Sequence, residues 1–390
     1  FLQNYQKDNL MKLFVNQKLD VYCVPFFVFC VLACGDKGSI FRPLLTYIFP
    51  FLLIYRYFVS KRYVTFRISV SNITPLKCLI FLYISWVFIT TILSVNVFNS
   101  FYYFNKLVIF FTIIYIINVW LDSTRKYLLL LKFCCYAGFF VATSILIQYV
   151  LINLGLLNLE SDRVAGMYGN VNTGGFVMSM LSLLCYYVFL ITKRNIYLLL
   201  MYYCFISVFC TGSRAALLVF IIAFVVAYFR RKVPKKIFII SILIFLGLLF
   251  TLILKMNELQ QMFRVENGTA GRDYLWIVAF QIIGDYFYTG IGVGNLKEIG
   301  TVYLSNLPLI SDWERNLLLE HAVQSSHNMY LETFVDTGVI GLIFYLLIYF
   351  QIVLQYKRGI KSKLYITREF SYLLLGIIIA VAFRGLFESN

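Results

Sequence analysis

Charged side chains are scarce in this chain. Asp, Glu, Lys and Arg make up 13% of its 390 residues, which is about half the share found in an average soluble domain. Hydrophobic residues make up 61%, and several apolar runs are longer than the roughly 18 to 20 residues that a helix needs to cross a bilayer. The scarcity of charge excludes a single soluble domain, and the long apolar runs predict an all-α polytopic membrane protein.

Redox and thiol–metal chemistry also have little support in the sequence. Each of the nine cysteines falls inside or at the edge of an apolar run, and no two of them have the C-x-x-C spacing. Cysteines in such positions behave as small hydrophobic core residues. We therefore expect no cysteine to take part in catalysis or metal binding.

The net charge of +16 would suit a nucleic-acid-binding protein, but the distribution of the basic residues argues against that partner. Lys and Arg cluster in the first segment and in every second connection between apolar runs: before residue 20 and in 56–77, 125–132, 193–194, 230–236 and 357–368. The positive-inside rule accounts for this pattern in a membrane protein. We therefore expect no nucleic-acid partner and a cytoplasmic location for these segments.

The apolar runs divide the chain into three parts. Eleven of them are candidate membrane spans: 21–35, 43–59, 76–96, 105–121, 127–154, 172–192, 195–210, 214–230, 236–254, 328–356 and 370–387. With the basic connections inside, the long segment 255–327, where Arg, Asp, Glu and both histidines gather, lies on the outer side. We predict membrane helices one to nine in 1–254, a catalytic outer loop in 255–327, and C-terminal membrane helices in 328–390.

The two ends of the sequence carry their own expectations. The chain begins with Phe1 and shows no cleavable signal peptide before Asp20, so we expect a few N-terminal residues to be missing. The predicted topology leaves the last residues outside, which suggests that a twelfth helix follows residue 390.

The outer loop contains two recognisable elements. Between Asp273 and Gly284 lies an apolar run that is too short to span a bilayer, which predicts an interfacial helix with Trp276 at headgroup depth. The glycine turn 290–295 follows it. This turn is not a dinucleotide-binding fingerprint, because no strand precedes it and no matching helix follows.

The loop ends at His327, which is a candidate general base. Serines just before it are predicted to cap the next helix. Histidine titrates nearest to neutral pH and can accept a proton from a hydroxyl group, but a structural histidine at a helix end would look the same. Glu332 and Asp336 share one helix face, where they either complement the helix dipole or orient His327. His321 is a weaker candidate that we expect to be solvated.

Three arginines lie outside the basic clusters, each at the outer end of a span or helix: Arg163, Arg214 and Arg272. One alone would be typical of interfacial snorkelling. All three arginines, however, lie in glycine-flanked turns next to helix N-termini that point outward. Together they indicate a site for an anion of the size of pyrophosphate.

A divalent metal is the competing way to neutralise pyrophosphate. The carboxylate pairs Glu160/Asp162 and Asp312/Glu314 have side chains of the kind that bind Mg²⁺. Pairs with this spacing are common in solvated loops, so we predict no metal and no cofactor.

The same residues carry a family resemblance. In chain order the motifs are Arg163-Val-Ala-Gly…Gly169-Asn170-Val171-Asn172, Thr211-Gly-Ser-Arg214-Ala-Ala-Leu, Gly271-Arg272…Trp276…Gly290-Ile-Gly-Val-Gly294-Asn295, and His327-Asn328-Met-Tyr330-Leu…Gly338…Gly341. In this order they resemble the O-antigen ligase and polymerase family of bacterial surface-polysaccharide enzymes. Asn170-Val171-Asn172 differs from the family's usual Asn-Pro-Asn.

The resemblance implies a glycosyltransferase C-like membrane fold with about 11–12 transmembrane helices and interfacial helices in the outer loop. Such enzymes transfer a glycan from undecaprenyl pyrophosphate to an acceptor hydroxyl at the periplasmic face of the inner membrane, without a metal. The implied catalytic residues are His327 as base and Arg214 and Arg272 as pyrophosphate ligands. The implied substrate contacts are Arg163, Asn328, Tyr330 and Glu332.

Polymerase and ligase differ in their acceptor, which is another carrier-linked repeat unit or the lipid A-core sugar. We favour a polymerase because the Phe-, Tyr- and Ile-rich spans resemble those of O-antigen polymerases, and we expect a chain-length regulator protein as a further partner. The functions of capsule polymerase and lipid-linked oligosaccharide flippase are less favoured. A flippase needs a charged cavity within the membrane, whereas the centres of these spans carry almost no charge.

Overall fold

The computed structural model describes residues 17–34, 74–157, 163–231, 272–306, 326–386 and 388. These residues form eleven helices and no β-strand: α1 Gln17–Cys34, α2 Pro75–Ile92, α3 Val97–Trp120, α4 Thr124–Asn153, α5 Val171–Thr192, α6 Asn195–Cys210, α7 Arg214–Arg231, α8 Arg272–Asp285, α9 Leu296–Ser305, α10 Met329–Gly359 and α11 Tyr365–Gly385. The prediction of an all-α protein is confirmed.

Six of the described helices, α2 to α5 together with α10 and α11, are long and apolar enough to cross a membrane. Apolar stretches of α1, α6, α7 and α8 are shorter. The predicted spans 43–59 and 236–254 lie outside the described residues. The chain is therefore a polytopic membrane protein, as its long apolar runs predicted.

The helices form two compact units. The first comprises Phe1–Ile68 and Phe111–Leu217, and the second comprises Ser69–Phe110 and Leu218–Asn390. The division falls at three points of the sequence: between residues 68 and 69, within α3, and near the start of α7. The division into 1–254, 255–327 and 328–390 rests on topology and stays a prediction.

Small residues bring the helices of the first unit close together. α4, α5 and α6 pack against one another, and α1 packs on α4. A Cβ at Gly138 of α4 would lie 3.2 Å from Cys204 Sγ and 3.3 Å from Leu181 Cβ. Cys134, Cys135, Cys185, Cys204 and Cys210 are buried, which confirms that these five are core residues.

The second unit is built around a broken helix. α10 is interrupted at Gly338, whose φ of 67° and ψ of −175° are not helical. Two backbone groups beside the break are hydrogen-bonded outside the helix. The Thr337 carbonyl accepts from the Trp86 indole N–H at 2.8 Å, and the Val339 N–H donates to Phe287 O at 2.9 Å. The N-terminal part of α10 is thereby fixed to the segment that follows α8.

α8 and α9 pack against this N-terminal part of α10. The buried face of α8, including Val278 and Ile282, forms one apolar cluster with Ile291, Leu304 and Val335. The helix predicted between Asp273 and Gly284 is confirmed, whereas α9 was not predicted. Sequence reasoning placed no helix after the glycine turn, and that expectation was wrong.

Tyr303 of α9 ties the two helices together. Its hydroxyl donates to the Asp285 carboxylate at the end of α8. Desolvation and this hydrogen bond raise the pKa of Tyr303 to about 12. The phenol stays protonated at neutral pH and acts as a structural donor.

Candidate functional site

In the first unit, Arg163 fastens the turn that precedes α7. Its Nε donates to Thr211 O at 3.4 Å, and its Nη2 donates to Gly212 O at 3.3 Å and to Asn172 Oδ1 at 3.1 Å. The Ser213 hydroxyl donates to the same Asn172 oxygen at 3.0 Å. The first two motifs, distant in sequence, therefore meet in one hydrogen-bonded cluster.

Two helices begin beside this cluster. Asn170 caps α5, since its side-chain oxygen accepts from Asn172 N at 2.7 Å and Thr173 N at 3.3 Å. The Ser213 hydroxyl accepts from Ala216 N at 3.4 Å in the first turn of α7. A Cβ at Gly175 would lie 2.9 Å from Ala216 Cβ, so the first turns of the two helices are adjacent.

Val171 is the first helical residue of α5. Proline suits this position because its missing N–H would have no helical partner there. The Val-for-Pro difference from the family pattern therefore leaves the Asn170 cap intact.

Arg214 is the first residue of α7, and its side chain is exposed. It stands beside two helix N-termini, whose N–H groups and dipoles attract anions. This arrangement suits a phosphate group, and the assignment of Arg214 to pyrophosphate stays a prediction. Arg163 differs, because its described hydrogen bonds go to protein oxygens.

In the second unit, His327 occupies a strained turn at the start of α10. Its φ is 50°, a left-handed conformation that few residues other than glycine adopt. The Ser326 hydroxyl donates to Asn328 O at 2.9 Å, and Asn328 N donates back to that hydroxyl at 3.3 Å. The neighbours on both sides thus hold the backbone of His327 in this conformation.

Asn328 caps α10. Its Oδ1 accepts from Tyr330 N at 3.1 Å and from Leu331 N at 3.0 Å. The prediction that serines cap this helix was wrong, because the cap is Asn328, two residues after Ser326. Ser326 instead braces the turn.

Glu332 and Trp276 hold the same turn from two directions. A Glu332 carboxylate oxygen accepts from Ser326 N at 3.3 Å, and the Trp276 indole N–H donates to Ser326 O at 3.0 Å. α8 begins at Arg272, one turn before Trp276 and on the same helix face. Arg272 is thus the first residue of α8, and its assignment to pyrophosphate stays a prediction.

Glu388 is a carboxylate that sequence reasoning missed. Its Oε2 lies 3.6 Å from His327 Nδ1, and its side chain is 4% exposed against 31% for His327. The start of α10 packs on the end of α11 here, because Asn328 Nδ2 donates to Leu386 O at 3.4 Å and the Tyr330 hydroxyl donates to Ala382 O at 3.0 Å. Only this packing brings Glu388 to the histidine.

The glycine turn packs against the N-terminal half of α10. Gly290, Gly292 and Gly294 have φ values of 68°, 87° and 84°, which side chains disfavour. Gly292 N donates to Asp336 O at 3.0 Å. The other side of the turn is held by Asn99, whose Nδ2 donates to Gly294 O at 2.9 Å. The turn is thus fixed between α10 and α3 by hydrogen bonds on both sides.

Asp336 lies one helical turn beyond Glu332, as predicted. Its Oδ1 is buried, with no hydrogen-bond partner among the described residues. His321 and the carboxylate pairs 160/162 and 312/314 lie outside the described residues. Within the described part of the chain, no cluster of three or more His, Cys, Asp or Glu is placed to hold a metal ion.

Comparison with known families gives one match. Residues 196–346 match the family model of the O-antigen ligases. The matched segment contains Arg214, Arg272, the glycine turn and His327, and it begins after Arg163. No curated protein matches the chain. The family match confirms the resemblance drawn from the motifs and does not distinguish polymerase from ligase.

Proposed function

We propose that this protein is an O-antigen polymerase, because residues 196–346 match the O-antigen ligase family model and that family is associated with glycosyl transfer in lipopolysaccharide assembly. It joins undecaprenyl-pyrophosphate-linked repeat units at the periplasmic face of the inner membrane. A chain-length regulator protein is a proposed further partner.

The observation that carries this proposal is the His327 turn. A left-handed, non-glycine residue costs roughly 1 to 3 kcal/mol and persists where surrounding contacts enforce it, often at a functional site. Here Ser326, Asn328 and Glu332 supply those contacts. Capping of the helix does not require this backbone strain at His327, because Asn328 already caps α10.

The proposed reaction is a single glycosyl transfer. His327 accepts the proton of the acceptor hydroxyl as its oxygen attacks the anomeric carbon of the donor. The bond between that carbon and the pyrophosphate oxygen breaks, and undecaprenyl pyrophosphate leaves with the bonding electron pair. General-base help is typically worth 10²- to 10⁴-fold.

We assign the leaving pyrophosphate to Arg214 and Arg272, without a metal. Guanidinium groups bind phosphate oxygens through paired, charged hydrogen bonds. Stabilisation of the developing charge is usually the larger catalytic term, so Arg214→Ala and Arg272→Ala should be at least as damaging as loss of His327. Activity that disappears with a chelator and returns with Mg²⁺ would contradict this assignment.

A ligase that transfers the polymer to lipid A-core is the second candidate, favoured by the description of the matching family model. Deletion of the gene in its host, followed by gel analysis of lipopolysaccharide, separates the two. Core capped with single repeats identifies a polymerase. Bare core with carrier-linked polymer accumulating identifies a ligase, and an unchanged ladder contradicts both.

A further inference from the structure

Glu388 lies in a position where a carboxylate is costly. Its side chain is 4% exposed, and burying an ionised carboxyl group destabilises a protein unless cationic or hydrogen-bonding partners compensate. Two candidates for that compensation are His327, at 3.6 Å, and Arg384, which attracts it electrostatically from the last turn of α11.

The backbone fixes this carboxylate beyond the end of α11. Glu388 N donates to Arg384 O at 2.9 Å, and Leu386 O accepts from the side chain of Asn328 at 3.4 Å. Asn328 is also the cap of α10 and the immediate neighbour of His327. The ring and the carboxylate are therefore held by the same junction between two helix ends.

We propose that Glu388 is a positioning residue for His327, an inference that rests on the proposed role of His327 as base. The carboxylate faces Nδ1, which favours the ring form with its proton on that nitrogen. Nε2 then has the lone pair that accepts the acceptor's proton. The imidazolium formed in the transfer lies next to a carboxylate whose charge Arg384 supports.

The other carboxylate beside the turn, Glu332, has a different partner. Glu332 on α10 accepts from Ser326 N at 3.3 Å, so it braces the turn. The Nδ1–Oε2 separation of 3.6 Å is a few tenths of an ångström longer than a hydrogen bond. Such contacts are often long before substrate binds and shorten in the reacting complex.

The test compares Glu388→Gln and Glu388→Asp with His327→Gln and with the double variant. Each full-length protein is reconstituted in proteoliposomes with carrier-linked glycan extracted from the host, and kcat and KM are measured at varied acceptor concentration. Glu298→Gln is the matched control, because Glu298 is exposed and accepts from Asn96 Nδ2 at 3.0 Å, a bond that the amide oxygen can keep.

Glu388→Gln should lower kcat by roughly 10- to 100-fold, less than the contribution of a general base, and leave KM within about twofold. Glu388→Asp keeps the charge and should fall between wild type and Glu388→Gln. Adding Glu388→Gln to His327→Gln should cause no further loss, since residues that act as one unit are not additive.

An unchanged kcat in Glu388→Gln, with His327→Gln inactive, would overturn the positioning role alone. Full activity of His327→Gln would overturn the proposed base itself. A raised KM, or an additional loss in the double variant, would assign Glu388 to structure only. If Glu388→Gln does not insert, Glu388→Asp decides, because an unchanged kcat there contradicts the proposal.

Discussion

At the scale of single residues, the two units use the same device, a polar side chain that fastens a turn beside a helix start. In the first unit the Asn172 oxygen accepts from both Arg163 and Ser213. In the second, Ser326 and Asn328 bond to each other across His327. Arg214, the proposed pyrophosphate ligand, directly follows Ser213 in the first turn. His327, the proposed base, lies between the two bonded residues of the second.

Arg163→Lys should destabilise the turn at Thr211 and Gly212. A lysine ammonium lacks the planar fork and cannot donate to Thr211 O, Gly212 O and Asn172 Oδ1 together. The expected loss is about 1 to 2 kcal/mol of stability, with slower glycan transfer. Thermal unfolding in nanodiscs measures the first effect, with the exposed Arg125→Lys as control. Lost activity at unchanged stability would instead favour direct contact between Arg163 and pyrophosphate.

The sequence singles out His327, Arg214 and the Arg163 segment as candidates because rare polar residues stand out in an apolar chain, and their functional roles stay predictions. Glu388 was not among the candidates, because a carboxylate near the end of a helix is normally exposed to solvent. Its burial follows from the packing of α10 on α11, which no local pattern encodes. The same limit led sequence reasoning to assign the α10 cap to serine, whereas Asn328 takes that role.

At the scale of elements, α10 is the helix that organises the second unit. The apolar run 328–356 correctly predicted its extent, but not its interruption. Gly338, Gly341 and Gly376 look alike in the sequence. What marks Gly338 as the break is tertiary: Tyr288 O lies close to its Cα, and the Trp86 indole donates a hydrogen bond to the neighbouring Thr337 carbonyl. Breaks of this kind depend on tertiary contacts, which a periodic pattern cannot reveal.

Gly338→Ala should therefore destabilise the protein, by roughly 2 kcal/mol or more. The new Cβ would lie 2.1 Å from Tyr288 O, at a φ of 67°, so the segment after α8 would have to move. Gly376→Ala is the matched control, since among the described residues its Cβ would meet only Ala223 O, at 3.9 Å. In a helix interior that change is expected to stabilise by about 0.5 to 1 kcal/mol. Equal unfolding temperatures of the two variants would contradict the broken-helix account.

At the scale of the whole molecule, composition sufficed to predict a polytopic all-α protein, because long apolar runs can form few other structures. The grouping of helices into two units was not predicted, since two of its three boundaries fall inside helices α3 and α7 rather than at polar linkers. The predicted orientation rests on the distribution of Lys and Arg and has a direct test.

Lys297→Cys should react with a membrane-impermeant maleimide in intact spheroplasts, because α9 belongs to the segment predicted to lie outside. Lys361→Cys, in the connection between α10 and α11, should react only after lysis. Both side chains are exposed, and wild-type protein gives the background from the native cysteines. The reverse pattern of labelling would invert the topology and remove the periplasmic location from the proposed function.

The central claim is that His327 accepts the proton of the acceptor hydroxyl. The most direct test is the initial rate of glycan transfer by His327→Gln in proteoliposomes that contain carrier-linked glycan, normalised to inserted protein. The account predicts a rate at least about 100-fold below wild type, with unchanged insertion and thermal stability. A rate within about twofold of wild type would contradict it.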